Sequence, residues 1–220
     1  MAERVPDKTS GNDCYSAGER KWMLLGQRLR SVCLRPILRL LTRLLITPDM
    51  ITLLSAVCGV AFAPLWVLGH PTAAVVLLIL HVALDGLDGP LAREQHIDSP
   101  RGSFTDTFAD QVVLTAVTSA WMIQRHDPIT TCAGTLYLIT YTAVVGMAMV
   151  RNALSIPYSW LVRPRFFFYG VLILECMGIR ELSLPVLVIS TALLSIKTLS
   201  GFFKLRARIA GPSEVSGPSD

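Results

Sequence analysis

Four aspartates between residues 85 and 110 carry the clearest chemical signal in the sequence. Asp85 and Asp88 are three residues apart at the end of one long apolar segment, and Asp106 and Asp110 are four apart near the start of the next. On helices, these spacings bring each pair to one face. An acidic side chain at the centre of a spanning helix costs about 2.5–3.5 kcal/mol, so a cluster of four at a membrane boundary needs cations.

The ligand type predicts which cations these are. Carboxylate oxygens suit hard ions such as Mg²⁺ or Mn²⁺, and four acids fit a two-metal site. Small residues lie on the same helix faces, namely Gly89, Ala92 and Gly102. They either let the two helices pack closely or leave a slot in which a nucleotide lies against the backbone. Arg93 ends the first helix, where its guanidinium can pair with a phosphate.

The elements that must position these acids are long apolar segments. The chain is 52% hydrophobic and only 16% charged, well below the roughly 25% charged residues of soluble domains. Its apolar runs are continuous rather than alternating, which predicts an all-α membrane protein with a bundle of six transmembrane helices. We place the six helices at residues 50–68, 72–91, 104–123, 129–150, 166–177 and 182–203.

The ends of the chain have a different composition from the spans. Residues 21–46 interleave leucines and arginines, which predicts a juxtamembrane amphipathic helix lying in the membrane interface. The alternative is an ordinary basic flank that orients the first span. Polar residues 1–20 and 209–220 are predicted to be disordered cytosolic tails, which leaves 47–208 as the six-helix domain.

Basic residues predict the orientation of the bundle. The N-terminal segment, the loops holding Arg93, Arg101, Arg151, Arg163 and Arg165, and the C-terminal segment all fall on one side. By the positive-inside rule this side is cytosolic, so both termini and the acid cluster face the cytosol. In a bacterium the membrane would be the plasma membrane. The net charge of +4 is explained by this topology and does not indicate a nucleic-acid partner.

The acidic region as a whole resembles a known family. The pattern Asp85-x2-Asp88-Gly89-x2-Ala92-Arg93-x8-Gly102-x3-Asp106-x3-Asp110 is similar, position for position, to the signature of the CDP-alcohol phosphatidyltransferases. The resemblance implies a six-helix bundle, commonly a homodimer. Two departures concern the subfamily: Gln111, where many members have Lys or Arg, and Asp49, where Asn is frequent. By the same resemblance, the metal ligands are Asp85, Asp88, Asp106 and Asp110, and the residues that shape the CDP-lipid site are Asp88, Gly89, Ala92, Arg93 and Gly102.

The resemblance also implies the reaction. A phosphatidyl group passes from CDP-diacylglycerol to an alcohol, CMP is released, and Asp110 is the base that deprotonates the acceptor hydroxyl. Such a reaction belongs to phospholipid biosynthesis.

The acceptor is less well defined by the sequence. The Arg163-Pro164-Arg165 pattern before the fifth span resembles phosphatidylinositol-phosphate synthases, which implies a phosphorylated polyol, either inositol phosphate or glycerol 3-phosphate. Arg151, Arg165 and Lys204 would then hold the acceptor phosphate, with Arg163 as an alternative to Arg165 and Lys197 as an alternative to Lys204. The Asp88–Arg93 segment is also similar to phosphatidylcholine synthases, so choline, serine or free inositol stays open as the acceptor.

Two rival functions use the same residue types. A membrane prenyltransferase also binds a diphosphate through aspartates and Mg²⁺, but the Ala-Arg-x8-Gly insertion has no role there. A divalent-cation transporter would place its acids across the membrane midplane, whereas these acids cluster toward the cytosolic end.

Overall fold

The computed structural model describes residues 34–153 and 164–209, and every regular element in these two ranges is an α-helix. The all-helical prediction is therefore confirmed for the described residues. Helices occupy all six predicted positions, with ends within six residues of those expected. We number them in chain order: α1 is residues 34–43, α2 Pro48–Val67, α3 Pro71–Glu94, α4 Pro100–Arg125, α5 Pro128–Ala153, α6 Pro164–Cys176 and α7 Ser183–Ile209.

Helices α2 to α6 each begin at a proline. Proline suits this place because its fixed φ matches a helix and its missing N–H is one that the first turn leaves unpaired. Polar side chains just before two of these prolines cap the helix: Thr47 accepts from the Met50 N–H at 3.4 Å and Ser99 from the Gly102 N–H at 3.2 Å. Before α5, hydrogen bonds from Thr130 hold the pKa of the Asp127 carboxyl below its ordinary value.

Four helices in the described ranges are long and apolar enough to cross a membrane, namely Pro48–Val67, Pro71–Glu94, Pro128–Arg151 and Ser183–Arg206. Helix α4 has 26 residues, but Arg101, Asp106 and Asp110 make its first three turns polar. Helix α6 has 13 residues and rises about 20 Å, less than the roughly 30 Å of a hydrocarbon core. The count of six membrane crossings thus stays a prediction.

The helices pack as a bundle in which α2 lies against α3 and α4, α5 against α4 and α7, and α6 against α3 and α7. Aromatic side chains fill the middle. Phe168 of α6 lies edge-on to Trp121 of α4 at 5.5 Å between ring centroids and 5.7 Å from Tyr137 of α5. All three side chains are fully buried. Although α6 is short, these aromatic contacts pack it against α4 and α5.

Glycine sets the closest approach between helices. A Cβ on Gly59 of α2 would overlap the Val113 side chain of α4 and lie 3.1 Å from the His81 ring of α3. Only a residue without a side chain lets these three helices meet at this level.

Helix α1 is the described part of the predicted amphipathic helix. Leu38 is buried in a small cluster with Ile51 and Leu91, while the α1 arginines are exposed. The Gln95 side chain at the end of α3 donates a 2.8 Å hydrogen bond to the Ile46 carbonyl, which joins the α1–α2 linker to α3. Residues 21–33 of the predicted helix lie outside the described residues, as do the predicted tails except Ile209, which belongs to α7.

Candidate active site

Three of the four aspartates converge between α3 and α4. Asp85, Asp88 and Asp106 each present an oxygen within 4.8 Å of the others. The three-residue step on α3 brings Asp85 and Asp88 to one side of that helix, and Asp106 reaches them from α4. Three convergent carboxylates form an oxygen-only ligand set, which fits a hard divalent cation. We call this group the carboxylate triad.

Asp88 is the most firmly held member of the triad. Its side chain is buried, and one oxygen accepts a 2.9 Å hydrogen bond from the Thr52 hydroxyl of α2. The other oxygen accepts from the Gly89 N–H at 2.6 Å. A carboxylate held through both oxygens presents its remaining lone pairs in fixed directions, as a metal ligand requires.

A second polar contact joins α2 to α3 deeper in the bundle. The Ser55 hydroxyl lies 2.8 Å from Nδ1 of His81 and donates to the His81 carbonyl at 3.0 Å. The His81 ring lies edge-on to Tyr169 of α6 at 6.1 Å. His81 is one turn before Asp85 on α3. The contacts of His81 with Ser55 and Tyr169 therefore hold α3 against α2 and α6 next to the triad. Neither Ser55 nor His81 was predicted from the sequence, although the small residues Thr52, Ser55 and Gly59 follow one face of α2.

The fourth aspartate is held by an arginine. Arg165, at the start of α6, forms an ion pair with Asp110 of α4 and a second with Asp85 at 3.1 Å. Its side chain is 1% exposed and its guanidinium lies 4.8 Å from the Phe166 ring centroid. Asp110 is therefore linked to the triad through Arg165. It is not one of the three aspartates whose oxygens lie within 4.8 Å of one another. The ion pair spans 55 residues of sequence.

The other predicted acceptor residues have different environments. Arg151 is 6% exposed near the end of α5, whereas Lys204 is exposed on α7. A Cβ on Gly201 of α7 would lie 3.6 Å from the Met147 side chain of α5, and Arg151 and Lys204 follow about one turn later on each helix. They therefore lie at the same end of the bundle. Arg163 lies outside the described residues.

The glycines of the signature behave differently from Gly59. A Cβ on Gly89 would meet only the Arg93 guanidinium, at 3.6 Å, and one on Gly102 only the Ser99 hydroxyl, at 3.5 Å. Both neighbours belong to the same helix or its cap, so no other helix in the described ranges comes within 4 Å of a Cβ at these positions. Arg93 is exposed and Ala92 half-buried on the same side. The nucleotide slot stays a prediction.

Gln111, which departs from the family pattern, links two helices. Its side-chain amide donates a 2.7 Å hydrogen bond to the Thr142 hydroxyl of α5. This hydrogen bond joins α5 to the turn of α4 that contains Asp110.

Comparison with known proteins settles the family. The family model described as CDP-alcohol phosphatidyltransferase matches residues 45–199, which include α2 to α6, most of α7 and the whole aspartate pattern. The chain belongs to this family. With its apolar helices, this makes it an integral membrane protein.

Curated relatives cover part of the chain. It is 30% identical to an archaetidylinositol phosphate synthase of Aeropyrum pernix over 54% of its length and 53% of the relative's. It is also 30% identical to a phosphatidylinositol phosphate synthase of Corynebacterium glutamicum, over 60% of its length and 63% of that protein's. A CDP-diacylglycerol–serine O-phosphatidyltransferase of Mycobacterium leprae is 31% identical, over 62% of this chain and 46% of that one. The chain thus matches about half to two thirds of the length of each relative.

Solved structures confirm the fold. The phosphatidylinositol phosphate synthase PgsA1 of Mycobacterium tuberculosis, in complex with manganese and citrate, superposes with a TM-score of 0.61 at 23% identity, over 84% of this chain and 92% of that one. The same protein with CDP-DAG bound gives a TM-score of 0.59 at 22% identity, over 88% and 100%.

Proposed function

We propose that this chain transfers a phosphatidyl group from CDP-diacylglycerol to a phosphorylated polyol and releases CMP. The observation that carries the proposal is the carboxylate triad with the Asp110–Arg165 ion pair beside it. Together they offer a metal site, a base and a phosphate-binding cation within one small volume. The family and the names of the relatives support this reaction class.

The metal ligands in this proposal are Asp85, Asp88, Asp106 and Asp110. The ions would be Mg²⁺ or Mn²⁺, in agreement with the manganese complex of the Mycobacterium tuberculosis protein. When bound, such ions supply charge neutralisation to the diphosphate and stabilise CMP as it leaves.

The donor lies over the small residues of the signature. Because no side chain from another described helix lies within 4 Å of a Cβ at Gly89 or Gly102, these glycines let the diphosphate and cytidine approach the backbone. Ala92 adds only a methyl group at the neighbouring position. Arg93 pairs with a phosphate oxygen. The signature lies within about three turns of the α3–α4 loop, so the donor's acyl chains stay in the bilayer while its headgroup reaches these residues.

Proton transfer falls to Asp110. It takes the proton of the acceptor hydroxyl, whose oxygen bonds to the lipid-side phosphorus while the bond to CMP breaks. Arg165 orients Asp110 through their ion pair. Gln111 and Thr142 hold the backbone turn that carries Asp110.

The acceptor is an inositol phosphate, with glycerol 3-phosphate as the nearest alternative. Arg165 and Arg151 supply buried positive charge for its phosphate, and Lys204 adds exposed positive charge on α7. Arg163 is kept as the alternative to Arg165 on the sequence pattern alone. One relative is named as an archaetidylinositol phosphate synthase and one as a phosphatidylinositol phosphate synthase, which supports this choice. Another is named as a CDP-diacylglycerol–serine O-phosphatidyltransferase, so serine, choline and free inositol must be tested as acceptors.

The membrane arrangement completes the proposal. Helices α2 to α7 are six spans, with α4 and α6 crossing as members of the bundle rather than as independently apolar segments. Both termini and the site face the cytosol, and the enzyme is a homodimer. The acids lie toward one end of their helices, an arrangement that disfavours a cation-transport pathway through the midplane.

The deciding experiment measures CMP release by the purified protein in lipid with CDP-diacylglycerol and Mg²⁺. Inositol 1-phosphate, glycerol 3-phosphate, free inositol, serine and choline are tested separately. We expect release with inositol 1-phosphate and a loss of about 10²–10⁴-fold in Asp110→Asn, because a general base contributes that much. Absence of CDP-lipid binding, together with metal uptake into vesicles, would replace the transferase by a transporter.

A second measurement tests the acceptor site. Arg165→Lys and Arg151→Lys keep the charge but lose the forked geometry that suits phosphate. We expect both to raise the KM for inositol 1-phosphate, and Arg165→Lys also to lower kcat because it orients Asp110. Unchanged acceptor KM values in both variants would contradict a phosphorylated acceptor.

A further inference from the structure

Helix α1 carries a stripe of arginines that nothing in the catalytic site uses. Arg35, Arg39 and Arg43 follow one another at four-residue intervals, which places them along one side of the helix. All three are exposed. We call them the arginine stripe. A basic flank that only orients a protein in the membrane needs charge but no such periodicity.

A second side of α1 is apolar and also exposed. Ile37 is 45%, Leu40 56% and Leu44 60% exposed. At 100° per residue, this apolar side lies about 130° around the helix from the arginine stripe. A helix with neighbouring apolar and basic sides matches the boundary between acyl chains and headgroups.

The third side of α1 attaches it to the signature. Leu38 is 1% exposed and packs with Ile51 of α2 and Leu91 of α3, which is fully buried. Leu91 lies between Gly89 and Arg93 in the sequence. The Gln95–Ile46 hydrogen bond also joins the linker that follows α1 to the C-terminal end of α3. A movement of α1 would therefore reach the segment that we assign to the donor headgroup.

We propose that α1 is a binding surface for anionic phospholipid headgroups. The arginine stripe pairs with lipid phosphates, Ile37, Leu40 and Leu44 enter the acyl region, and Leu38 transmits the docking to residues 86–97. Charge complementarity selects this occupant, because three guanidinium groups beside an apolar side attract a negatively charged bilayer surface. A second copy of the chain would be repelled by the same arginines.

Amide hydrogen exchange of the full chain tests this surface without reference to activity. The protein is placed in nanodiscs at one copy and, separately, at two copies per disc, in phosphatidylcholine alone or mixed with phosphatidylglycerol. We expect exchange over residues 34–46 to slow in the anionic discs by roughly fivefold or more, since one arginine near such a surface contributes about that factor. Residues 86–97 should slow in parallel.

Three double variants identify the side chains. Arg39→Gln/Arg43→Gln should lose the effect of phosphatidylglycerol, whereas Arg101→Gln/Arg206→Gln removes two exposed arginines outside α1 and should keep it. Arg39→Lys/Arg43→Lys should keep it too, because the attraction depends on charge.

The following results would overturn the proposal. Equal exchange in both lipids, or equal losses in the two glutamine variants, would show that α1 does not recognise headgroups. If exchange over residues 34–46 slows only when two copies share a disc, α1 contacts a second copy of the chain and not lipid headgroups. If residues 34–46 respond and residues 86–97 do not, the coupling to the donor segment is wrong although lipid binding stands.

Discussion

The Thr52 hydroxyl donates a 2.9 Å hydrogen bond to Oδ2 of Asp88, so a residue of α2 orients a carboxylate of the triad on α3. Thr52 is itself buried, and its hydroxyl also lies 3.1 Å from the Pro48 carbonyl. This contact makes α2 part of the site although it supplies no acid. Partners of this kind fix the direction in which a ligand offers its lone pairs.

Thr52→Val removes this hydrogen bond and keeps the side-chain shape. We expect metal affinity or activity to fall about 10–100-fold, the usual effect of losing a group that orients a ligand. The measurement is Mn²⁺ binding followed by electron paramagnetic resonance, with the metal dependence of CMP release alongside. Thr52→Ser keeps the hydroxyl and should bind nearly as the parent does. Equal binding by the valine variant would show that Thr52 does not orient Asp88.

Gly89→Ala tests whether the signature glycine serves a ligand or the fold. The added Cβ meets only the Arg93 guanidinium at 3.6 Å, which is ordinary contact, so thermal stability should be unchanged. It does occupy space over the backbone where we place the donor. We expect the KM for CDP-diacylglycerol to rise about tenfold, which corresponds to roughly 1.4 kcal/mol of lost binding. An unchanged KM would contradict the nucleotide slot.

Gly59→Ala, in contrast, should lower the stability of the fold. Its Cβ would overlap Val113, so α2 and α4 must separate, and overpacking of this kind costs about 1–3 kcal/mol. We expect a lower midpoint of thermal unfolding in detergent, with partial recovery in Gly59→Ala/Val113→Ala. Gly146→Ala is the matched control, since a Cβ there meets nothing within 4 Å. A Gly59→Ala variant as stable as this control would contradict close packing at Gly59.

The helices and the acid cluster were predictable for local reasons. Continuous apolar runs and helix-starting prolines locate the helices, and the three-residue and four-residue spacings assign Asp85, Asp88 and Asp106 to facing sides. The partners of these acids were not predictable from spacing. Arg165 lies 80 residues from Asp85, and its predicted role toward the acceptor phosphate gave no indication of its ion pairs with Asp85 and Asp110. Thr52 lies 36 residues from Asp88. Such pairs depend on how whole helices pack, which local sequence patterns do not encode.

Glu175 shows the same limit, because an acid inside an apolar segment does not indicate its partners. The structure buries it at the end of α6 opposite Arg165, where it accepts from the Trp121 indole at 3.1 Å and pairs with Arg125 at 3.1 Å. Arg125 also donates to the Arg180 carbonyl at 2.7 Å and the Ser183 hydroxyl at 2.8 Å. Glu175 thus joins α6 to α4 directly, and Arg125 extends this contact to Ser183 at the start of α7.

A double-mutant cycle on Arg125 and Glu175 measures the strength of this fastening. Glu175→Gln keeps an acceptor for Trp121 but removes the charge, and we expect it to destabilise the fold by about 1.5–3 kcal/mol, the range for hydrogen bonds to charged groups. Arg125→Gln should cost less, because its side chain is 27% exposed and water can replace part of what it loses. The double variant should cost less than the sum of the two, with a coupling of about 0.5–3 kcal/mol. Unfolding of all four proteins in the same detergent supplies the numbers. Strict additivity would mean that Arg125 and Glu175 stabilise α6 independently, and the short helix would then depend on its aromatic core for its position.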